Sequence, residues 1–515
     1  MLSQLALFAT WQTLAIAASC SRPWGISDCS QFAGSVKSSL DSESRVLNAT
    51  YHEAGTLNTT NGPNSKPLCR IFGEADYANN NTILFQLWLP ASGDYNNRFL
   101  VVGNGGMAGT IDEAGLMKNI NEGYAVAGGD GGHRASENNG GSGKPGVYLP
   151  YMHDKDQVKA WIHNSIAQFT PVAKSLAEKF YGKPAKHSYY VGCSTGGAQG
   201  FALAQHHPGL FDGIIAGCPG NWYSHLALSF LWNAQKTKGA SFLSQSALDL
   251  ITKSALAQCD AIDGVEDGVM ENPLLCDFDV NTLACDAEAA DPTKCLTGVQ
   301  LAAAKDIYAG PVDSRTNASL YPGFSVGSET QWAMQEGDLA EAFAVPILQN
   351  MVFDNLTYDS DSFNWGSDVD LLDERVGTFI DEISPDLSAF QKAGGKMIVM
   401  QSWADPYNAA LWPIQHLKQL EETAGGDVGD WFRLFMVPGG GHCGSASNYP
   451  QVPANWHSLE AMTTWVEDKS RPEEMTSSNP ADKSSRSRKL CPWPSTAHYV
   501  GGNTDEWKSY ECERA

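Results

Sequence analysis

Long apolar runs and positive charge are both scarce in this chain, and each shortage excludes a class of function. Past Ser19 no stretch reaches the roughly 18–20 consecutive apolar residues of a membrane-spanning helix, so the expectation is a soluble protein with no membrane partner. Lys and Arg total 34 against 58 Asp and Glu, a net charge of −24. A phosphate backbone or an anionic bilayer finds little electrostatic hold on such a surface, so nucleic acid is excluded as a partner. The first residues lack the basic start of a typical export leader. Residues 1–19 are nonetheless uncharged and mostly apolar, end in Ala15-Ile16-Ala17-Ala18-Ser19, and read as a signal peptide with a small-residue cleavage site.

What is present agrees with export. Twelve cysteines, an even number, suit disulfides formed in an oxidising compartment. Asn-x-Ser/Thr sequons at Asn48, Asn58, Asn80, Asn317 and Asn355 are candidate glycosylation sites. With 515 residues the chain exceeds what a single core usually fills, and more than one structural unit is expected.

The chemistry-bearing stretch is Tyr189-Tyr190-Val191-Gly192-Cys193-Ser194-Thr195-Gly196-Gly197. An apolar strand runs into Gly-x-Ser-x-Gly, and a helical segment follows from Ala198 to His206; strand, sharp turn and helix make a nucleophile elbow. Ser194 is the candidate nucleophile and the Thr195 N–H a candidate oxyanion donor. Upstream, the short strand Arg98–Val102 opens into Gly103-Asn104-Gly105-Gly106, where Gly105 and Gly106 are candidates for the second donor. The strand from Tyr124 to Ala127 leads to Asp130 and His133, which could serve the site but read more readily as a structural loop. Residues 155–181 carry one broad apolar face, with Pro171 expected to kink or split the helix.

Strand and helix alternate with short loops from 98 to 217, the pattern of a mainly parallel, doubly wound α/β sheet. The pattern breaks between Asn221 and Pro385, which reads as a lid inserted over the sheet. The alternation resumes at Gly395–Trp403, ending in Asp405, and at Arg433–Val437, opening into Gly441-His442-Cys443-Gly444. A serine hydroxyl needs a base, and that base needs an orienting carboxylate. The order Ser194…Asp405…His442, each just past a strand, is that of an α/β-hydrolase. Cys193 precedes the serine and Cys443 follows the histidine, so folding the three together makes a Cys193–Cys443 disulfide natural. Local pairs Cys259–Cys276, Cys285–Cys295 and Cys491–Cys512 flank short loops; Cys20 and Cys218 are left open.

These elements together resemble the tannase and feruloyl esterase family of secreted serine esterases. The resemblance rests on Gly103–Gly106, Gly192–Gly197, the Asp405 strand end and Gly441–Gly444, and spans nearly the whole chain after residue 19. It implies a catalytic α/β-hydrolase unit from 20–220 and 386–515, a lid over 221–385, a disulfide beside the nucleophile, and a Cys29–Cys69 bridge. In the lid, Asp260, Asp263 and Asp267 with glycines between them offer hard-cation chemistry without EF-hand spacing. The resemblance implies a structural Ca²⁺ there, held by those carboxylates and the Val265 and Val269 carbonyls, with no organic cofactor. The expected activity is hydrolysis of phenolic-acid esters, feruloyl esters of plant cell-wall polysaccharide ahead of galloyl esters. Trp222, Phe230 and Trp232 could line an aromatic pocket or serve as core. The alternative class is a non-catalytic, calcium-stabilised secreted binding protein on the same scaffold, against which the retained Ser, Asp and His speak. Arg486-Ser487-Arg488-Lys489 reads as an exposed basic loop, with proteolytic processing as the alternative.

Overall fold

The computed structural model describes residues 28–36, 43–139, 143–286 and 294–514, so the leader and Cys20 lie outside the described residues. One nine-stranded sheet organises the chain. Its strands are β1 (Ser44–His52), β2 (Leu68–Tyr77), β3 (Asn81–Pro90), β4 (Arg98–Val102), β5 (Ala125–Gly129), β6 (His187–Cys193), β7 (Gly213–Gly217), β8 (Lys396–Ser402) and β9 (Phe432–Val437). Their spatial order is β1-β2-β3-β5-β4-β6-β7-β8-β9. The first three pair antiparallel, as do β3 and β5; β5 through β9 are parallel. The chain reverses its winding between β4 and β6, and in open α/β sheets ligands bind at such switch points, beyond the strand C-termini.

The central strands are apolar on both sides because both faces are covered. Tyr190, Val399 and Met397 face one core with Phe169, Phe201 and Leu420. Tyr189, Ile398 and Met400 face the other, with Leu116, Met117 and Met462. The first face is covered by α1 (Cys29–Val36), α3 (Ser165–Tyr181), α4 (Thr195–His206) and α8 (Leu411–Ala424), and the second by α2 (Glu113–Asn121) and α9 (Ser458–Asp468).

Helix α3 runs unbroken through Pro171, contrary to the expected kink. Pro171 faces solvent while Phe169, Val172 and Leu176 are buried. One lost hydrogen bond is therefore set against three buried side chains, each contributing about 1.5–3 kcal/mol. The irregularity falls upstream, in a π-turn over Ala160–Asn164.

Residues 221–385 contribute helices α5 (Tyr223–Lys236), α6 (Gln245–Cys259) and α7 (Gly298–Ala309) and none of the nine sheet strands. They pack in two main clusters. Leu226, Leu231 and Ile347 pack with Met107, Tyr151 and Trp161 of the sheet-bearing segment, while Leu248, Ile307 and Trp332 form a second cluster. The C-terminal segment folds back over the Asp260–Glu271 loop. There Ala497 N–H donates to Glu271 Oε1 at 2.8 Å, and Arg488 pairs with Asp267 and Glu271. Arg488 and Lys489 are buried, so the expectation of an exposed basic loop is overturned: the carboxylates of this neighbouring loop and Glu474 neutralise them.

Candidate active site

The elbow holds Ser194 at the end of β6 with φ 62° and ψ −121°, a strained conformation for a side chain other than glycine. Glycine is required at its flanks. A Cβ at Gly192 would stand 2.4 Å from the Gly196 carbonyl oxygen, and one at Gly196 would stand 2.9 Å from the Asn104 carbonyl oxygen. The strain is held by the neighbouring strand, since Ser194 N–H donates to the Gly217 carbonyl at 2.9 Å.

His442 follows β9 and Asp405 follows β8. The imidazole Nδ1 lies 3.0 and 2.9 Å from the two Asp405 carboxylate oxygens. The carboxylate is buried and fixed, its Oδ1 accepting the N–H groups of Tyr407 (2.8 Å) and Asn408 (3.1 Å). A carboxylate on Nδ1 leaves Nε2 free to take and return a proton. Tyr407 stacks on the imidazole, with centroids 4.3 Å apart, and limits its rotation. Ser194 and His442 line one cavity of about 1030 Å³.

Five disulfides form: Cys29–Cys69, Cys193–Cys443, Cys259–Cys276, Cys285–Cys295 and Cys491–Cys512. Cys193–Cys443 holds the Cα atoms of these two residues 5.9 Å apart across 250 positions of sequence, tying the serine turn to the histidine loop. Cys218 is a buried free thiol among the described residues. Its Sγ accepts the Cys443 N–H at 3.4 Å, and burial, with the Asp405 charge beside it, pushes the thiol pKa far up. A buried thiol this reluctant to ionise is chemically inert.

The loop after β4 reaches the same cavity, with Gly105 and Gly106 beside Ser194. Its shape is set by a buried hydrogen-bond network centred on Gln199, a residue that no sequence motif marks. Gly106 carbonyl accepts the Thr195 hydroxyl at 2.6 Å and the Trp161 indole N–H at 3.1 Å. Gln199, on the helix behind the serine, accepts the Asn104 N–H at 3.0 Å and donates to Asn104 Oδ1 (3.0 Å) and the Trp161 carbonyl (2.8 Å). Asn104 in turn donates to the Thr110 and Gly129 carbonyls, at 2.9 and 2.7 Å.

Other candidates fall elsewhere. Asp130 is buried and accepts the Gly132 and Leu84 N–H groups. His133 stacks on Tyr151 with centroids 3.9 Å apart. Neither residue lines the cavity, so both are structural. Trp222 stacks on His225 and Trp232 packs against Trp365, both within the insertion. Phe230 sits behind Tyr407 and Phe343, and it is these two, with Trp456, that face the cavity. Of the two roles open to Trp222 and Trp232, the core one holds; an aromatic on an amphipathic helix carries the same sequence signal whether it lines core or pocket.

The Asp260–Val269 loop lies apart from this cavity. Asp260 accepts the Gly268 and Val269 N–H groups at 2.9 and 3.2 Å. Asp263 Oδ2 and Asp267 Oδ1 are buried without a hydrogen-bond partner. Among the described residues the ion-pair partners of Asp263, Asp267 and Glu271 are the guanidiniums of Arg486 and Arg488, two cations beside four carboxylates once Asp260 is included, and burial raises the Asp263 carboxyl to about 6. Orphaned carboxylate oxygens and a shortage of positive charge fit a hard cation.

Residues 69–513 match the family model described as tannase and feruloyl esterase. The chain is 31% identical to an uncharacterised esterase of Xanthomonas campestris pv. campestris, over 91% of this chain and 88% of the relative. It is 30% identical to feruloyl esterase C of Talaromyces stipitatus, over 86% and 85%. Among solved structures, feruloyl esterase B from Aspergillus oryzae superposes with a TM-score of 0.83 at 25% identity, covering 94% of this chain and 100% of the other. Tannin acyl hydrolase from Aspergillus niger shares the fold, with a TM-score of 0.80 at 22% identity and coverage of 95% and 96%. An elbow serine at the switch point of an α/β-hydrolase sheet, matched over nearly its whole length, places this chain in the tannase and feruloyl esterase family of carboxylic ester hydrolases.

Proposed function

We propose that the chain is a secreted serine esterase that hydrolyses phenolic-acid esters, preferring feruloyl esters of plant cell-wall polysaccharide to galloyl esters. The observation that carries this reading is the fixed Asp405–His442 pair opening onto the cavity that holds the strained Ser194. Ser194 Oγ attacks the ester carbonyl carbon as its proton passes to His442 Nε2. The oxyanion is met by the Thr195 N–H and by Gly105 or Gly106 N–H; one such donor is worth ~10²–10³ in turnover. Collapse breaks the ester C–O bond, and His442 protonates the leaving alcohol. Water, deprotonated by the same imidazole, then releases the acid. Phe343, Tyr407 and Trp456 offer π faces to an aromatic acyl group, and fungal feruloyl esterases matched at 25% identity or above favour the hydroxycinnamoyl choice.

Five disulfides support an oxidising compartment. All five sequon asparagines are exposed, as glycosylation requires, and no described helix is long and apolar enough to cross a membrane. Asp260, Asp263 and Asp267, with the Val265 and Val269 carbonyls, would hold Ca²⁺ as a structural ion that neutralises the loop.

Hydrolysis of methyl ferulate, methyl caffeate and methyl gallate by the wild type and Ser194→Ala tests the reading. Turnover led by the cinnamates and abolished in the variant is expected. Preference for gallate would make the protein a tannase, and turnover that survives Ser194→Ala would refute the serine mechanism.

A further inference from the structure

On the outer side of α4, away from the ester cavity, three side chains from distant parts of the chain converge. His163 Nδ1 lies 2.8 Å from Glu382 Oε1, and His206 Nε2 lies 2.9 Å from Glu382 Oε2. One ligand-type atom from each residue falls within 4.8 Å of the other two, and the two imidazole rings are 4.0 Å apart at their centroids. We propose that His163, His206 and Glu382 form a binding site for a single transition-metal dication, Zn²⁺ by its donor set, which joins the nucleophile helix to the segment returning from the 221–385 insertion.

Four features support this assignment. Glu382 is a buried carboxylate, its side chain 3% exposed; Gln205 Nε2 donates to its Oε2 at 2.5 Å, and its ion-pair partners among the described residues are the two histidines, with no Lys or Arg. These contacts satisfy its oxygens but carry no fixed positive charge, so with neutral imidazoles the buried negative charge is balanced only by a bound cation. The donors are two imidazole nitrogens and one carboxylate oxygen, a borderline-soft set that suits Zn²⁺ and disfavours the oxygen-seeking Ca²⁺.

The ligands are also held in place. Glu382 N–H donates to the Asn221 carbonyl at 2.7 Å, and Asn221 Nδ2 donates back to the Glu382 carbonyl at 3.0 Å. His206 is the last residue of α4, where the helix dipole favours positive charge, and His163 projects from the π-turn of Ala160–Asn164, an irregularity frequent at functional sites. Finally, His207 stands beside the cluster with its Nε2 buried and without a hydrogen-bond partner among the described residues. His206 is 40% exposed, so the three protein ligands leave an open side where water can complete a tetrahedral shell.

The test uses the full-length protein, stripped with chelator and refilled with Ca²⁺. Zn²⁺ is then titrated by calorimetry and by thermal unfolding, and Co²⁺ is added as a spectroscopic probe. The expected result is about one equivalent of Zn²⁺ per chain, a raised unfolding temperature, and an intense visible Co²⁺ spectrum. His206→Ala and Glu382→Gln should each weaken binding at least ~10-fold and abolish the Co²⁺ spectrum. His206→Ala should still hydrolyse the ester substrate, because the site is separate from Ser194. Glu382 is buried, so the half-exposed His206 keeps the test readable if Glu382→Gln fails to fold. Absence of a Zn²⁺-induced shift in the wild type, or equal binding by wild type and His206→Ala, would overturn the proposal and leave a hydrogen-bonded His–Glu cluster.

Discussion

Gln199→Leu removes no atom that touches substrate, yet it should disable the oxyanion loop. Gln199 is fully buried and satisfies the Asn104 N–H, Asn104 Oδ1 and the Trp161 carbonyl; the Tyr190 hydroxyl, a fourth partner at 3.3 Å, also donates to the Gly196 carbonyl and would not be orphaned. Leucine fills nearly the same space and satisfies none of them. At about 1–3 kcal/mol for each orphaned buried group, the gross cost is about 3–9 kcal/mol, reduced by whatever water and backbone movement recover. The cheapest relief is a shift of residues 103–106, because the Asn104 N–H belongs to that loop. Such a shift carries the Gly105 and Gly106 N–H groups off the oxyanion, and loss of one donor costs ~10²–10³ in kcat. Urea unfolding and steady-state hydrolysis of methyl ferulate should therefore report a lowered midpoint together with a kcat drop of that order and little change in KM. Gln199→Glu sharpens the test. It keeps the acceptor for Asn104 N–H but faces Asn104 Oδ1 with a second oxygen, so its turnover should recover as the pH falls and its carboxyl gains a proton. A folded Gln199→Leu protein with kcat within about twofold of wild type would refute the argument.

Replacing both Cys193 and Cys443 by alanine opens a loop of 250 residues, worth up to about 5.5 kcal/mol on the chain-entropy model; urea unfolding should show a loss approaching that value, and turnover should fall as serine and histidine loosen. Ca²⁺ chelation should lower the thermal midpoint, with recovery on adding Ca²⁺ but not Mg²⁺, and Asp267→Ala should be indifferent to both. His133 is buried with its pKa lowered to about 4, mainly by desolvation. The unfolded chain therefore binds the proton first, and this contribution, complete above pH ~6.5, is lost as the pH falls towards 4, by up to about 3 kcal/mol. His133→Phe keeps the stack on Tyr151 and should flatten the pH dependence of urea unfolding across that window; an unchanged slope would contradict the assignment.

The sheet's central strands, the elbow and the places of Ser194, Asp405 and His442 are all legible in the amino-acid sequence. Each is a local signal: an apolar run ended by glycine, or a reactive residue one turn past a strand. The five cysteine pairs were legible for related reasons, through short spacing, adjacency to the reactive residues or family resemblance. Local signals also misled. Pro171 has the same sequence meaning on a solvent face as on a buried one, and only the packing of α3 decided that the helix continues. For Trp222 and Trp232 the local pattern left core and pocket open; they pack against other rings, while Phe343 and Trp456, from distant parts of the chain, line the cavity. Gln199 and Asn104 are 95 positions apart, and His163 and Glu382 are 219 apart. No period or motif joins such pairs, so the tertiary structure alone brought them together. The strand and turn code is short-ranged, whereas the satisfaction of buried polar groups is settled only when the layers close.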